Sequence, residues 1–194
     1  SAITNRIKPA IDRIIGPEQK AYTDQKHIGS VICNITNMMH KTISKKESNI
    51  IMLIDFKKAF DSLSHAFIFS TLKTLGFGTD IIKYIKLFLT QREARILAGG
   101  HLTDTIHLQQ GVPQGDIISP YIFLLMFEVL LIKITKTKNI TGVTYALRDA
   151  RAEAFADDTT LFMKRGPKNL RYATKYITQF HQISRLACNL DKTH

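Results

Sequence analysis

The sequence has no tryptophan, and its two cysteines, Cys33 and Cys188, share no CxxC or Cys/His cluster. A disulfide framework and a structural zinc site are therefore excluded as organising devices, and a reducing compartment is expected. Glycine (10) and proline (5) are sparse across 194 residues, leaving no room for a linker, a collagen-like repeat or a low-complexity tail. Long apolar runs are also missing. The longest stretch, from Ile117 to Ile132, is interrupted by Ser119, Pro120 and Glu128 and falls short of the ~20 clean residues a bilayer span needs. The N-terminus carries no apolar signal core. No membrane association is expected. Acidic residues are scarce as well: Asp and Glu number 16 against 27 Lys and Arg, for a net charge of +11. Such an excess favours a polyanionic partner through counterion release, with nucleic acid the first candidate and an anionic membrane surface second.

What is present reads as one folded unit with no internal repeat. Residues of the apolar class make up 44% and charged residues 22%, typical of a chain that buries a core. Apolar positions at helical spacing predict helices from Ile3 to Ile14, stopped by Gly16-Pro17, and from Ile28 to about Ile43. Ile50 to Ile54 is short and rich in β-branched residues, as suits a strand buried on both faces. Helices are expected over 66–75 and 81–90, the second capped by Thr79 or Asp80. ARILA and TDTIHL flank Gly99-Gly100 as a β-hairpin. Ser119-Pro120 reads as an N-cap and first turn opening a buried helix that ends near 133–138. Strands are expected at 143–149, 151–156 and in TTLFM, leaving Asp157-Asp158 at a hairpin tip, and a last helix runs from Pro167 to about Leu186 with Leu170, Tyr172, Ala173, Tyr176, Ile177 and Phe180 inward. Helices mixed with antiparallel hairpins give an α+β class.

Three carboxylates stand where a buried strand meets a turn: Asp55, Asp157 and Asp158. Desolvated carboxylates side by side cannot all ionise cheaply without a cation. With no His or Cys nearby, hard oxygen ligands point to Mg²⁺ or Mn²⁺ rather than zinc, and carboxylates from two strands can hold two ions for phosphoryl transfer. An Asp-Asp pair at a turn is also an ordinary turn sequence. What sharpens the signal is the order LIDFKKAFDS, QGVPQGDIISP, FADD.

In those motifs the chain resembles the reverse transcriptase domain of non-LTR, LINE-type retrotransposons and, more distantly, group II intron reverse transcriptases, over nearly its whole length. The resemblance implies a right-hand polymerase palm, an antiparallel sheet backed by helices, with part of the fingers and no thumb. The division is fingers over 1–50, palm over 51–66, fingers helices and hairpin over 67–112 and palm over 113–194. It implies that Asp55 and Asp157 bind metal with Asp158 beside them, that two Mg²⁺ or Mn²⁺ ions act, and that Phe60 guards the sugar 2′ position. Gln114 and Gly115 would contact the incoming nucleotide and template, and Ser119-Pro120 opens the next helix. SRLACNLDKT resembles a further palm motif, placing Lys192 near the triphosphate, and NRIKPAIDRIIGPEQKAY resembles the fingers segment before the first catalytic motif. The implied partners are an RNA template, a DNA primer and a dNTP, and the implied location is a ribonucleoprotein of nucleus and cytoplasm. An RNA-binding remnant without activity and an intron maturase-type enzyme are the alternatives.

The sequence departs from the family pattern in places. The Arg-Pro-Ile fingertip that grips the triphosphate is not in the chain, Lys26 stands where arginine is common, Pro113 is nearer the intron relatives, and Arg185 replaces a usual glycine. Other residues have plainer readings. Lys57 and Lys58 flank Asp55 as a basic pair that either touches phosphate or lies on a polar face. Glu128 is expected to pair with a base, and His65 to act as a cap or a core contact. Arg6, Lys8, Arg13, Lys20, Arg92 and Arg95 could line a template-primer track or serve solubility.

Overall fold

The computed structural model describes residues 2–22, 27–145, 148–189 and 191–193; Lys26, noted above, lies outside them. Helices α1 (Ala2–Ile14) and α2 (Ile28–Ser44) come first, followed by strand β1 (Asn49–Ile54). A single helical turn α3 (Ala59–Ser62), absent from the sequence expectations, precedes α4 (His65–Thr74) and α5 (Thr79–Thr90). Four two-residue strands follow: β2 (Glu93–Ala94), β3 (Leu97–Ala98), β4 (His101–Leu102) and β5 (Ile106–His107). The long helix α6 (Ser119–Lys136) leads to β6 (Val143–Tyr145), β7 (Arg148–Ala150), β8 (Ala152–Phe155), β9 (Asp158–Lys164) and α7 (Pro167–Ser184).

The central sheet has the order β1-β9-β8, antiparallel throughout. The strand buried on both faces is therefore β9, not β1. Leu161 and Met163 enter the main core, and Phe162 turns to a second cluster with Met38 and Val143. In this sheet β1 is an edge strand, and Leu53 is half exposed. The apolar run from Ile50 to Ile54 identified a strand correctly but not its place, because length and β-branching do not distinguish centre from edge.

Nearly every side chain of α6 from Ile122 to Leu131 is buried, which explains why its apolar run shows so little periodicity. Its phenylalanines organise the core beside the site. Phe123 stacks on Phe60 with centroids 4.7 Å apart, and Phe127 meets Phe56 edge-on at 5.3 Å. Each such ring contributes about 1.5–3 kcal/mol by burial. The C-terminal carbonyls of α6 are met by Arg151, whose guanidinium donates to Ile134 O, Thr135 O and Thr137 O while pairing with Asp149.

Several local expectations are corrected. Ser119 lies inside the first turn, and Asp116 Oδ1 instead accepts from Ile118 N at 2.8 Å. Gly78, not Thr79 or Asp80, is the N-cap of α5. Residues 143–149 form no single strand: β6 and β7 pair as a hairpin of their own, Val143 opposite Ala150. The hairpin about Gly99-Gly100 is present but broken. Its outer ladder pairs Glu93 with His107 and its inner ladder Leu97 with Leu102, a one-residue change of register that marks a bulge. Leu170, expected inward, is exposed, as are Ile32 and Met39 of α2. Glu128 is buried, with its carboxylate against the turn at Gly16. His65 is a core contact, its Nε2 2.9 Å from Gly111 O, while Ser64 caps α4 by accepting from Phe67 N. Among the described residues, no helix is long and apolar enough to cross a membrane.

Candidate active site

The β8–β9 hairpin closes with Phe155 opposite Asp158, so Ala156 and Asp157 form its turn. Ala156 adopts φ +57, the left-handed conformation that tight hairpins demand and that alanine takes at a cost of about 1–2 kcal/mol. The β1–β9 ladder ends at Ile54 opposite Thr159, and continuing its register sets Asp55 opposite Asp158. Sheet pairing thus brings Asp55 to the end of the sheet that holds Asp157 and Asp158, more than 100 positions later in sequence.

Asp55 is held from its other side. Phe56 bridges Cys188, Lys57 N donates to Ala187 O at 2.8 Å, and Asn189 N donates to Asp55 O at 2.7 Å. The Asn189 side chain donates from Nδ2 to Asp55 Oδ2 at 2.8 Å. The segment reaches this position through Arg185, which ends α7 at φ +67. With arginine at this position the turn closes, Arg185 N donating to His181 O at 2.8 Å.

Burial raises the Asp157 carboxyl above the ordinary aspartate range; its own backbone amide offsets part of this, and the carboxylates of Asp158 and Asp55 raise it further. Among the described residues no three His, Cys, Asp or Glu side chains converge on one point. The donor set nevertheless fits a hard divalent cation: all oxygen, no nitrogen or sulfur, and mutual repulsion that a cation relieves.

Phe60, Gln114 and Gly115 come together with Asp157 in a cleft of about 430 Å³ that Tyr22, Lys58 and Ser119 also line. Phe60 is fixed there by its stack on Phe123. Gly115 has φ +84, and the Gln114 amide donates to both Asp61 oxygens at 3.2 Å. Ser119 Oγ is buried and has no hydrogen-bond partner among the described residues. Lys192 does not share this cleft. It lines a separate recess of about 410 Å³ with Asp55, Asp158 and the apolar side chains of Ile28, Ile32 and Leu53.

Sequence reasoning left out Tyr22, Gln19, Asp61 and Asn189 as individual site residues. Gln19 and Tyr22 lie within PEQKAY and Asp61 closes AFD, so the motifs contained them. No spacing rule announces that a residue at position 19 reaches a turn at 156. Both lysines of the basic pair beside Asp55 are exposed, and of the two Lys58 lines the cleft.

The sequence matches the family described as "Reverse transcriptase (RNA-dependent DNA polymerase)" over residues 1–194. Among curated relatives, a Pol polyprotein of the type-1 retrotransposable element R2 from Popillia japonica is 32% identical over 162 residues, covering 82% of this chain and 22% of that protein. The transposon TX1 149 kDa protein of Xenopus laevis is 27% identical over 162 residues, covering 82% of this chain and 12% of its own length. The chain thus spans about a fifth or less of these relatives. Among solved structures, telomerase from Candida albicans superimposes with a TM-score of 0.73 at 12% identity, covering 99% of this chain and 34% of that one. Apo telomerase from Candida tropicalis gives 0.66 at 14% identity, covering 100% of this chain and 35% of that one. These likenesses carry the α+β polymerase fold, and the sequence matches carry the lineage: the chain belongs to the reverse transcriptase (RNA-dependent DNA polymerase) family.

Proposed function

We propose that this chain is the polymerase domain of a LINE-type retrotransposon protein and extends a DNA primer on an RNA template. The observation that carries the reading is the register that brings Asp55 to the sheet end holding Asp157 and Asp158, with Asp157 lining the cleft walled by Phe60. Asp55 and Asp157 would hold divalent cations, with Asp158 adding charge from beside them. When bound, Mg²⁺ or Mn²⁺ lowers the pKa of a primer 3′-hydroxyl and neutralises charge on a dNTP phosphate.

The chain's own residues do the rest. Asn189 holds one oxygen of Asp55. The Phe60 ring, braced by Phe123, excludes a ribose 2′-hydroxyl by bulk. Gly115 lets backbone approach a base pair, and Gln114, presently on Asp61, stands where it can exchange that partner for nucleotide or template. Lys58 in the cleft and Lys192 in the recess of Asp55 supply positive charge for triphosphate or pyrophosphate. In this reading the palm comprises 51–66 and 113–194, the fingers 1–50 and 67–112, and the working location is a ribonucleoprotein of nucleus and cytoplasm. The +11 charge supports an RNA template and DNA primer as partners.

The test is template-dependent dNTP incorporation by the chain expressed with the flanking sequence of its reading frame. Asp157→Ala is expected to abolish extension while leaving salt-sensitive RNA binding in place. Near-parental extension by that variant would sink the assignment. RNA binding without extension in the parent would favour a remnant that only binds.

A further inference from the structure

Gln19 is fully buried, and its one amide group meets both backbone groups of a single distant residue. Its Oε1 accepts from Ala156 N at 3.0 Å, its Nε2 donates to Ala156 O at 3.0 Å, and Oε1 also accepts from Ala21 N at 3.0 Å. Ala156 is the residue before Asp157 and holds φ +57. The residues around Gln19 run along the free edge of β8: Ala154 N donates to Glu18 O and Lys20 N to Ala154 O, each at 2.9 Å. The backbone bonds end there, and the glutamine side chain takes over where the turn carries Ala156 away from the sheet ladder.

Donor and acceptor in one planar group are a property of Asn and Gln alone among side chains of this kind, and Gln adds the reach. Glutamate would lose the donation to Ala156 O. Methionine of similar length would lose all three bonds. A merely adhesive contact between the 18–22 segment and β8 is already made by the two backbone bonds, so the side chain's share of the work falls on the turn itself. Three residues on, Tyr22 lines the same cleft as Asp157 and Phe60.

We infer that Gln19 is a positioning residue for polymerisation: by gripping the N–H and C=O of Ala156 it fixes the left-handed turn that aims Asp157. Its effect on Asp157 runs through Ala156. The inference rests on the polymerase reading above and extends it to a residue outside every catalytic motif. It makes the segment before α2 a brace for the catalytic turn, so that displacement of this segment should lower the rate of chemistry rather than nucleotide affinity.

The first measurement needs neither activity nor a variant. In the unaltered chain the Ala156 amide should exchange with solvent as slowly as those of Leu161 and Phe162 within β9; exchange at the rate of an open turn overturns the inference. The second compares Gln19→Met with Ile68→Val, a core change remote from the turn. Gln19→Met should lower kcat for nucleotide addition by about tenfold or more with the dNTP KM within about twofold, while Ile68→Val keeps the parental kcat. Parental kcat in Gln19→Met, or a kcat loss in both variants that follows their fall in melting temperature, overturns it. A parent protein that extends no primer counts against the polymerase reading, and the exchange result then decides the clamp by itself.

Discussion

Gly111 joins the loop that carries Gln114 to the segment that carries Phe60, and replacing it with alanine isolates the energetics of that joint. Its N–H donates to Leu63 O at 2.8 Å, its carbonyl meets His65 Nε2 at 2.9 Å, and the next residue, Val112, donates to Phe60 O at 2.8 Å. It holds φ +81, and a Cβ added there would stand 2.6 Å from Asp61 O and 2.9 Å from Asp61 C and Cα. Those are backbone atoms and cannot swing away. The left-handed conformation costs alanine about 1 kcal/mol and the forced displacement about 1–3 kcal/mol, so Gly111→Ala should lose roughly 2–4 kcal/mol. At roughly 2–4 °C per kcal/mol for a chain of this size, the melting temperature should fall by about 4–16 °C. Gly76 supplies the control, having φ +79 and nothing within 4 Å of an added Cβ. Gly76→Ala should lose only the conformational share, about 1 kcal/mol. Urea unfolding of both variants, with unchanged m, measures the difference directly. If Gly111→Ala loses no more than Gly76→Ala, the steric argument fails.

The remaining predictions concern the turn after α7, the sugar gate and the carboxylates. Arg185 is exposed and held at φ +67, so Arg185→Gly should stabilise the chain by about 0.5–1 kcal/mol in urea unfolding; a lower midpoint would show that the arginine side chain contributes more than its strain costs. Phe60→Val should raise the use of ribonucleotides relative to deoxynucleotides by about tenfold or more, and an unchanged ratio in competition assays would remove Phe60 from the gate. Because the folded state raises the Asp157 pKa, the folded chain binds its proton more tightly than the unfolded chain. Without divalent cations, stability should therefore fall as pH rises from the ordinary aspartate range through the raised value, then level off. Asp157→Asn should remove that part of the pH dependence and be more stable at neutral pH, and saturating Mg²⁺ should narrow the gap. Identical pH profiles of the urea midpoint for the two chains would count against the burial and crowding of Asp157.

The elements legible in the sequence were those whose signal is local. Helices α2 and α7 announced themselves through apolar spacing, α6 through Ser119-Pro120 and an apolar run, and the β8–β9 hairpin through FADD between two apolar strands. Motif order singles out the carboxylates and Phe60 as candidates, and the structure brings the carboxylates to one end of the sheet and Phe60 into a cleft with Asp157. What could not be read was decided by contacts distant in sequence. The central place of β9 depends on pairing with a strand more than 100 residues earlier, and the exposure of Leu170 on which helical face met α6. The motif that places Lys192 near the triphosphate says nothing of which recess it lines; the structure sets it with Asp55 and Asp158. The clamp of Gln19 on Ala156 has no local signature at all.

The most direct test of the central claim is primer extension on poly(rA)/oligo(dT) with Mg²⁺ or Mn²⁺, comparing the parent with Asp55→Asn in the same flanking sequence. Asparagine keeps the size of the side chain beside Asn189 and removes the charge, so the fold should survive and the divalent-dependent extension should vanish. Extension by Asp55→Asn at the parental rate would contradict the assignment of the sheet-end carboxylates as the centre of polymerisation.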